Sequence, residues 1–263
     1  MPYSRITEQD NSDTGRVFCF RAASLSFHFL PTALTAKGRP VGGAITLGSR
    51  NISKTYTSHD RKIHVSHIKH IYSVLVQKGV PNVDRLVASH EDHPRHGSII
   101  FLQPRGVERQ PRFVSEIIEA AICVLQALVV RLMTLAMRFG ALTKVGQVMH
   151  AEPALFHRDI RWPNVLWSSQ NKTWFLIDFD DASMAPTRAA PHLRRDSHHP
   201  GVFKDGHGAE VDIWAVGMLI SNAAIGAVDS LWELSSIAED MREGEMTAEQ
   251  ALIRLQSVKT SAK

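Results

Sequence analysis

One short stretch, residues 155–182 (LFHRDIRWPNVLWSSQNKTWFLIDFDDA), constrains the fold of this chain more than any other. Two apolar runs, residues 165–167 and 174–177, predict short strands, and the letters SSQNK between them predict a turn. Asn164 stands directly before the first run, and Asp178 directly follows the second. We therefore expect a single hairpin that brings these two side chains close together.

The polar residues of this stretch suit phosphate and metal chemistry. His157-Arg158-Asp159 and Asn164 form the pattern H-R-D-x-x-x-x-N, and Asp178 begins D-F-D fourteen residues later. An aspartate can orient a hydroxyl group or accept its proton, while amide and carboxylate oxygens are ligands that magnesium prefers. The pattern therefore predicts a phosphoryl-transfer site. The alternative is that these residues have no catalytic role and form only a charged loop beside a buried hairpin.

A second segment, residues 210–220 (EVDIWAVGMLI), supports the same interpretation. Its apolar residues fit a buried helix. H-R-D-x-x-x-x-N resembles the catalytic loop of protein kinases, and D-x-W-x-x-G resembles a kinase helix. The resemblance implies that Asp212 binds back to the backbone of the catalytic loop. Three segments, HRDIRWPN, LIDFDDA and DGHGAEVDIWAVG, most resemble the fungal-type protein-kinase-like group, a divergent branch of the protein kinase superfamily.

The resemblance is clear over residues 150–220, fainter over residues 45–105 and weak elsewhere. It implies an α+β, two-lobed protein-kinase-like fold. The small β-rich N-lobe is expected to be incomplete or divergent, and the larger C-lobe mainly helical. The expected organisation is a poorly defined N-terminal segment 1–44, an N-lobe 45–105 and a C-lobe 106–263 with an insertion at 131–149, so that the kinase-like domain spans 45–263.

Local patterns predict the elements of that organisation. Residues 44–57 read as a hairpin around a Gly-Ser turn, and residues 65–77 as an amphipathic helix. Residues 83–89 and 98–103 predict the last two strands of the small lobe. Residues 113–137 predict a buried helix rather than a membrane span, because charged and polar residues accompany its apolar run.

Three residues receive catalytic roles from the resemblance. Asp159 would position the acceptor hydroxyl group. Arg158 matches the kinase arginine that receives a phosphate from the activation segment, for which Thr187 and Ser197 are candidate sites or plain polar loop residues. Arg161 occupies the place of the lysine that marks serine/threonine specificity.

The cofactors implied are ATP and Mg²⁺. Asn164 and Asp178 would hold the metal ion at the nucleotide phosphates, and Asp180 could add a ligand. Lys54 matches by position the kinase lysine that contacts phosphates, with an exposed strand lysine as the alternative.

Two departures from the kinase pattern keep other functions open. The segment KGRPVGG does not spell a G-x-G-x-x-G loop, and the helix at residues 65–77 supplies no glutamate to pair with Lys54. A pseudokinase that acts as a binding or scaffold module is therefore one alternative. The motif Asp178-Phe179-Asp180 also resembles the I-D-x-[DE] of aminoglycoside and choline kinases, so a small-molecule phosphotransferase is another.

Composition adds weaker expectations. The net charge of +4, from 30 basic and 26 acidic residues, is modest and scattered, which does not favour nucleic acid as a partner. Cys19 and Cys123 are far apart in apolar contexts and predict reduced thiols. The polar start lacks a secretory apolar core. We expect a cytoplasmic or nuclear protein without a membrane partner, whose protein substrate and oligomeric state the sequence leaves open.

Overall fold

The computed structural model describes residues 7–9, 17–19, 43–48, 51–56, 61–93, 97–129, 149, 154–223 and 232–261. These residues mix helices with antiparallel strands, which confirms the α+β class. The strands are β1 (Thr7–Gln9), β2 (Val17–Cys19), β3 (Gly43–Leu47), β4 (Ile52–Tyr56), β5 (Arg85–His93), β6 (Gly97–Gln103), β7 (Leu155–Phe156), β8 (Val165–Ser168), β9 (Thr173–Leu176) and β10 (Ser183–Met184). The helices are α1 (Arg61–Gln77), α2 (Val114–Leu128), α3 (Glu210–Ser221), α4 (Trp232–Glu243) and α5 (Ala248–Ser261).

The chain divides into two compact units. The first comprises Met1–Ser73 and Asp84–Gly106, and the second Val74–Val83 and Val107–Lys263. Each unit contains elements that are apolar on one side, so each can bury a core of its own.

The first unit is built on a six-stranded antiparallel sheet with the order β1-β2-β3-β4-β6-β5. Two of its strands, β1 and β2, come from the segment 1–44. The predicted hairpin is confirmed as β3 and β4, and α1 confirms the predicted helix. Alternate residues of β6 are buried, as expected when one face of a strand covers a core. β5 runs beyond the predicted strand, because its pairing with β6 resumes after a register shift between His90 and His93.

Helices form much of the second unit. The apolar face of α2 is buried, and the helix packs against β9 and α5. α2 ends at Leu128, where Val129 is extended, so this helix stops short of the predicted end at residue 137. Residues 130–148, which include most of the predicted insertion 131–149, fall outside the described residues. Within the described part of the chain, no helix combines the length and apolar character that a bilayer crossing requires.

The helices α3 and α4 approach each other closely at Gly217. A Cβ atom placed there would lie 2.7 Å from the backbone oxygen of Ala238, which is closer than real Cβ atoms come to other atoms. Because residue 217 is glycine, the two helices can pack this closely, and their packing holds α3 against the rest of the unit. The position of α3 matters because this helix carries Asp212, which is expected to bind the backbone of the H-R-D loop.

Candidate active site

The predicted hairpin at residues 165–177 is confirmed and forms the base of the site. β8 pairs with β9 from Val165↔Leu176 to Ser168↔Thr173. The ladder continues beyond the strands, since the Ile177 N–H donates to the Asn164 carbonyl oxygen at 2.9 Å. Asn164 and Asp178 therefore both lie at the open end of the hairpin, as the sequence predicted.

Asn164 holds Asp159 through its side-chain amide. Its Nδ2 group donates to the Asp159 backbone oxygen at 2.8 Å and to Asp159 Oδ2 at 2.9 Å. The other amide atom, Oδ1, is buried, and no described residue donates a hydrogen bond to it. A buried acceptor left without a donor costs about 1–3 kcal/mol. Asn164 thus uses its donors within the loop and leaves an oxygen for something else to bind.

The carboxylate of Asp159 is only 3% exposed and is surrounded by donors. The Arg161 Nε atom lies 2.9 Å from Oδ1 and 3.1 Å from Oδ2. His198 Nε2 lies 3.0 Å from Oδ1. Together with the Asn164 amide, these groups fix the orientation of the carboxylate.

Asp212 supports the backbone of the same loop from α3. Its Oδ2 accepts the His157 N–H at 2.9 Å, and its Oδ1 accepts the Arg158 N–H at 2.8 Å. Asp212 is fully buried, so both hydrogen bonds form in a region of low dielectric constant. The contact expected from the D-x-W-x-x-G pattern is confirmed.

His157 joins the two halves of the site. Its Nε2 lies 3.0 Å from the Ile177 carbonyl oxygen, and its Nδ1 accepts the Asp159 N–H at 3.2 Å. The ring also contacts the Phe179 ring, with centroids 4.7 Å apart. Burial lowers the pKa of His157 below its usual range, although nearby carboxylates oppose the shift. This imidazole is therefore neutral, with its proton on Nε2.

Arg158 has a left-handed backbone, with φ 69°, and its side chain binds backbone oxygens. Nε donates to the Asp181 oxygen at 2.5 Å, and Nη1 donates to the Arg188 oxygen at 3.1 Å. The residue expected to receive a phosphate thus already ties the loop to the segment that follows Asp178. His192 Nε2 lies 2.6 Å from Asp181 Oδ1 and adds a second tie in this region.

The two candidate phosphosites differ in their surroundings. Thr187 is 3% exposed, and its hydroxyl group donates to the His207 carbonyl oxygen at 2.6 Å. Because the Thr187 hydroxyl group is buried and already hydrogen-bonded, this conformation fits the alternative of a structural loop residue better than a phosphosite. Ser197 is exposed, and its Oγ lies 3.2 Å from His198 Nδ1.

The sequence-predicted residues do not all fall in one unit. Arg158, Asp159, Arg161, Asn164, Asp178 and Asp180 lie in the second unit. Lys54 lies in the first, on the central strand β4, opposite Ile45 and Ile100 of the neighbouring strands. It is 5% exposed, so the alternative of an exposed strand lysine is wrong. Its role at the phosphates stays a prediction.

The residues expected to bind magnesium offer a small set of oxygen donors. Asp178 is buried, has a left-handed backbone with φ 69°, and precedes a 3₁₀ turn, Phe179–Asp181, that contains Asp180. Among the described residues, no three His, Cys, Asp or Glu side chains converge on a metal position. A magnesium ion bound by one or two carboxylates needs further oxygens from water and substrate phosphates. The buried Asn164 Oδ1 and the adjacent Asp178 fit that kind of site.

His198 is the residue that sequence reasoning missed. It precedes His199-Pro200-Gly201, and nothing in the local pattern pointed to His198 itself. Its contact with Asp159 spans 39 residues of chain. Only the folded arrangement of the segment after β10 reveals it.

The comparisons with known proteins show a partial similarity to one effector protein. No protein-family profile matches the chain. The chain is similar to Crinkler effector protein 8 of Phytophthora infestans, with 36% identity over 162 residues. The match covers 60% of this chain and 23% of the relative, so this chain spans a minor part of that protein's length.

Proposed function

We propose that this chain is an ATP-dependent, magnesium-requiring phosphotransferase of the protein-kinase type, which transfers the γ-phosphate of ATP to a serine or threonine hydroxyl group of a protein. The two-lobed kinase-like arrangement belongs to the same proposal. So does a cytoplasmic or nuclear location, which the free thiol of Cys123 supports.

The observation that carries the proposal is the pairing of Asp159 with Asn164. The amide fixes the carboxylate with its Nδ2 group and keeps a buried Oδ1 without a donor among the described residues. Phosphoryl transfer to an alcohol uses an aspartate that faces the hydroxyl group. It also uses a neighbouring neutral oxygen as a ligand for the metal ion. Buried amide oxygens usually have a donor, so this oxygen is consistent with a ligand that the chain itself does not supply.

Each residue then has a defined task. Asp159 accepts a hydrogen bond from the substrate hydroxyl group and takes its proton as the oxygen attacks phosphorus. Arg161 holds the Asp159 carboxylate in position through its Nε atom. Magnesium, when bound, neutralises charge on the nucleotide phosphates, and Asn164 and Asp178 are the residues that would hold it.

The loop is positioned for this task before any ligand binds. Asp212 fixes the N–H groups of His157 and Arg158, and His157 connects that backbone to the residue preceding Asp178. Such preorganisation lowers the cost of reaching the reactive geometry.

A two-part experiment tests the proposal. Thermal unfolding of the purified chain is measured with ATP, with and without magnesium, for the wild type, Asp178→Asn and the exposed control Asp196→Asn. A ligand that binds the folded state raises the melting temperature. We expect magnesium-dependent stabilisation in the wild type and the control, and its loss in Asp178→Asn.

Transfer of labelled γ-phosphate to mixed protein acceptors is measured in parallel with Asp159→Asn. We expect transfer by the wild type and none by this variant. Stabilisation without transfer to protein, sugar or choline would favour the pseudokinase alternative. Transfer to sugar or choline alone would favour a small-molecule phosphotransferase.

A further inference from the structure

We propose that the acceptor of this chain is an acidic peptide segment, in which Asp or Glu residues flank the serine or threonine. The peptide would bind a basic surface formed by the side chains of Arg161, Arg188 and Arg194. The proposal names the substrate class of the site described above, so its part concerning transfer rests on the proposed function. Binding of an acidic peptide can be measured independently of transfer.

The segment 185–207, which follows β10, carries more cations than carboxylates. Asp205 Oδ1 already accepts the Ala189 N–H at 2.7 Å. Asp196 Oδ2 lies 2.6 Å from Arg194 Nη2. The two carboxylates of the segment are thus engaged within it, and a carboxylate of a bound peptide would meet an excess of positive charge. The basic side chains of the segment are all exposed: Arg188, Arg194, Arg195 and Lys204.

Two contacts place this segment against the loop that carries Asp159. Arg158 Nη1 donates to the Arg188 carbonyl oxygen at 3.1 Å. The ring of His198 lies between Asp159 and Arg194, with Nε2 3.0 Å from the carboxylate Oδ1 and Nδ1 2.8 Å from the carbonyl oxygen. The backbone of Arg188 therefore touches a side chain of the loop, and one imidazole ring separates the backbone of Arg194 from Asp159.

A small apolar cluster fixes the segment to α3. Ala190, Leu193 and Val202 of the segment pack with Val211 of that helix. The Ala190 N–H also donates to the Val202 carbonyl oxygen at 2.9 Å. α3 carries Asp212, which holds the H-R-D loop. Because one helix supports both the loop and the segment, the basic surface keeps a constant position relative to the acceptor site.

The guanidinium groups of the basic surface are accessible to a peptide. Arg194 is 68% exposed and its partner Asp196 is 64% exposed, so water weakens their ion pair and a peptide carboxylate can compete for the arginine. Arg161 is 28% exposed, so part of its side chain reaches solvent beside the loop carboxylate. Arg195 differs from these arginines, because its guanidinium lies 4.7 Å from the centroid of the Phe203 ring.

A peptide fits this arrangement better than a small free anion does. The acceptor hydroxyl group lies at Asp159, while the flanking carboxylates contact arginines further along the surface. An extended peptide advances about 3.3–3.6 Å per residue, so acidic residues within about four positions of the acceptor would reach these arginines. A guanidinium can bind a carboxylate through two parallel hydrogen bonds, which favours Asp and Glu over neutral residues.

Binding is tested first, without ATP. Fluorescence anisotropy measures the affinity of the chain for two labelled peptides whose acceptor serine is replaced by alanine, one with Glu at the flanking positions and one with Gln. We expect the Glu peptide to bind about ten-fold more tightly at about 50 mM salt, and the difference to shrink at about 500 mM salt. Equal affinities, or equally tight binding of an RNA oligomer, would overturn the proposal.

Four variants locate the basic surface. Arg188→Gln and Arg194→Gln should each reduce the preference for the Glu peptide by about three-fold. Arg195→Gln removes the same charge from the same segment and should keep the preference. Asp196→Asn should strengthen binding of the Glu peptide because it releases Arg194, and misfolding cannot produce such a gain. An equal loss in Arg195→Gln, or no gain in Asp196→Asn, would overturn the assignment to this surface.

Phosphate transfer then tests the substrate class. We expect kcat/KM for a Glu-flanked serine peptide to exceed that for the Gln-flanked peptide about ten-fold, and Arg188→Gln to lower this ratio. A chain that binds the Glu peptide but transfers phosphate to no acceptor would contradict the proposed function and support the basic surface. An active chain with equal kcat/KM for the two peptides would overturn this proposal and support the proposed function.

Discussion

The carboxylate of Asp212 accepts the backbone N–H of His157 at 2.9 Å across 55 residues of chain. The same carboxylate accepts the N–H of Arg158, whose left-handed backbone needs support. A helix of the second unit therefore determines the conformation of the loop that carries Asp159.

The first prediction concerns Asp212→Asn. The amide keeps one acceptor oxygen and turns the other towards an N–H group as an NH₂ donor, so one hydrogen bond becomes a clash of donors. We expect a loss of about 1–3 kcal/mol in the free energy of unfolding, as for an unsatisfied buried group. Urea unfolding measures it. Glu210→Gln, on the first turn of the same helix but exposed, should change stability by less than about 0.5 kcal/mol. Equal losses in the two variants would contradict the role of Asp212.

The second prediction concerns Arg161, whose Nε contacts both oxygens of Asp159. If the chain transfers phosphate as proposed, Arg161→Gln removes a charge-assisted donor from Asp159, and we expect kcat to fall by about ten-fold or more, since such bonds are worth about 1.5–3 kcal/mol. Arg161→Lys should retain more activity because it keeps the charge. Steady-state phosphate transfer measures both. Arg195→Gln, an exposed arginine over the Phe203 ring, is the control, and an equal fall in that variant would argue against a specific role.

The third prediction concerns pH and His157. Burial lowers the pKa of this residue in the folded state, so the unfolded chain binds a proton more readily. Stability should therefore fall as pH drops below the usual histidine pKa of about 6.5, because protons then favour unfolding. In His157→Gln this contribution is absent, and the fall in stability between pH 7.5 and about 5.5 should be smaller. Urea unfolding of both chains at the two pH values tests this, with His70→Gln as the exposed control. Parallel curves for wild type and His157→Gln would refute the prediction.

The fourth prediction concerns Gly217→Ala. Alanine favours a helix by about 1 kcal/mol over glycine, but its Cβ would meet the Ala238 backbone oxygen at 2.7 Å. Because a backbone atom cannot move aside as a flexible side chain can, we expect net destabilisation of about 1–3 kcal/mol. Thermal or urea unfolding measures it. Ser221→Ala, at the exposed end of the same helix, should have little effect. A stabilised Gly217→Ala chain would show that α3 and α4 are less tightly packed than described.

Much of the site could be predicted from sequence because its parts are local. The hairpin that joins Asn164 and Asp178 follows from two apolar runs and a turn, and the helix that carries Asp212 follows from its apolar spacing. The contact of Asp212 with the loop was predicted only through the resemblance, since nothing in the residues between them encodes it.

The remaining features depend on tertiary contacts. The burial of Thr187 accompanies its hydrogen bond to His207. The contact of His198 with Asp159 depends on the path of the segment between them. The buried position of Lys54 depends on two partner strands that flank β4. The pairing of β1 and β2 with the sheet was also not predicted, because a strand of only three residues has too short a sequence pattern.

The left-handed backbone at Arg158 and Asp178 has a consequence for sequence divergence. Aspartate adopts this conformation more readily than most residues, but arginine rarely does, and each costs about 1–2 kcal/mol relative to glycine. Glycine or asparagine would relieve this backbone cost at either position, but at Arg158 it would also remove the two hydrogen bonds that tie the loop to the segment after Asp178. If the chain is the phosphotransferase proposed above, a relative that has lost phosphate transfer is free to lose this backbone cost, and replacement of Asp178 by glycine or asparagine is the change expected first.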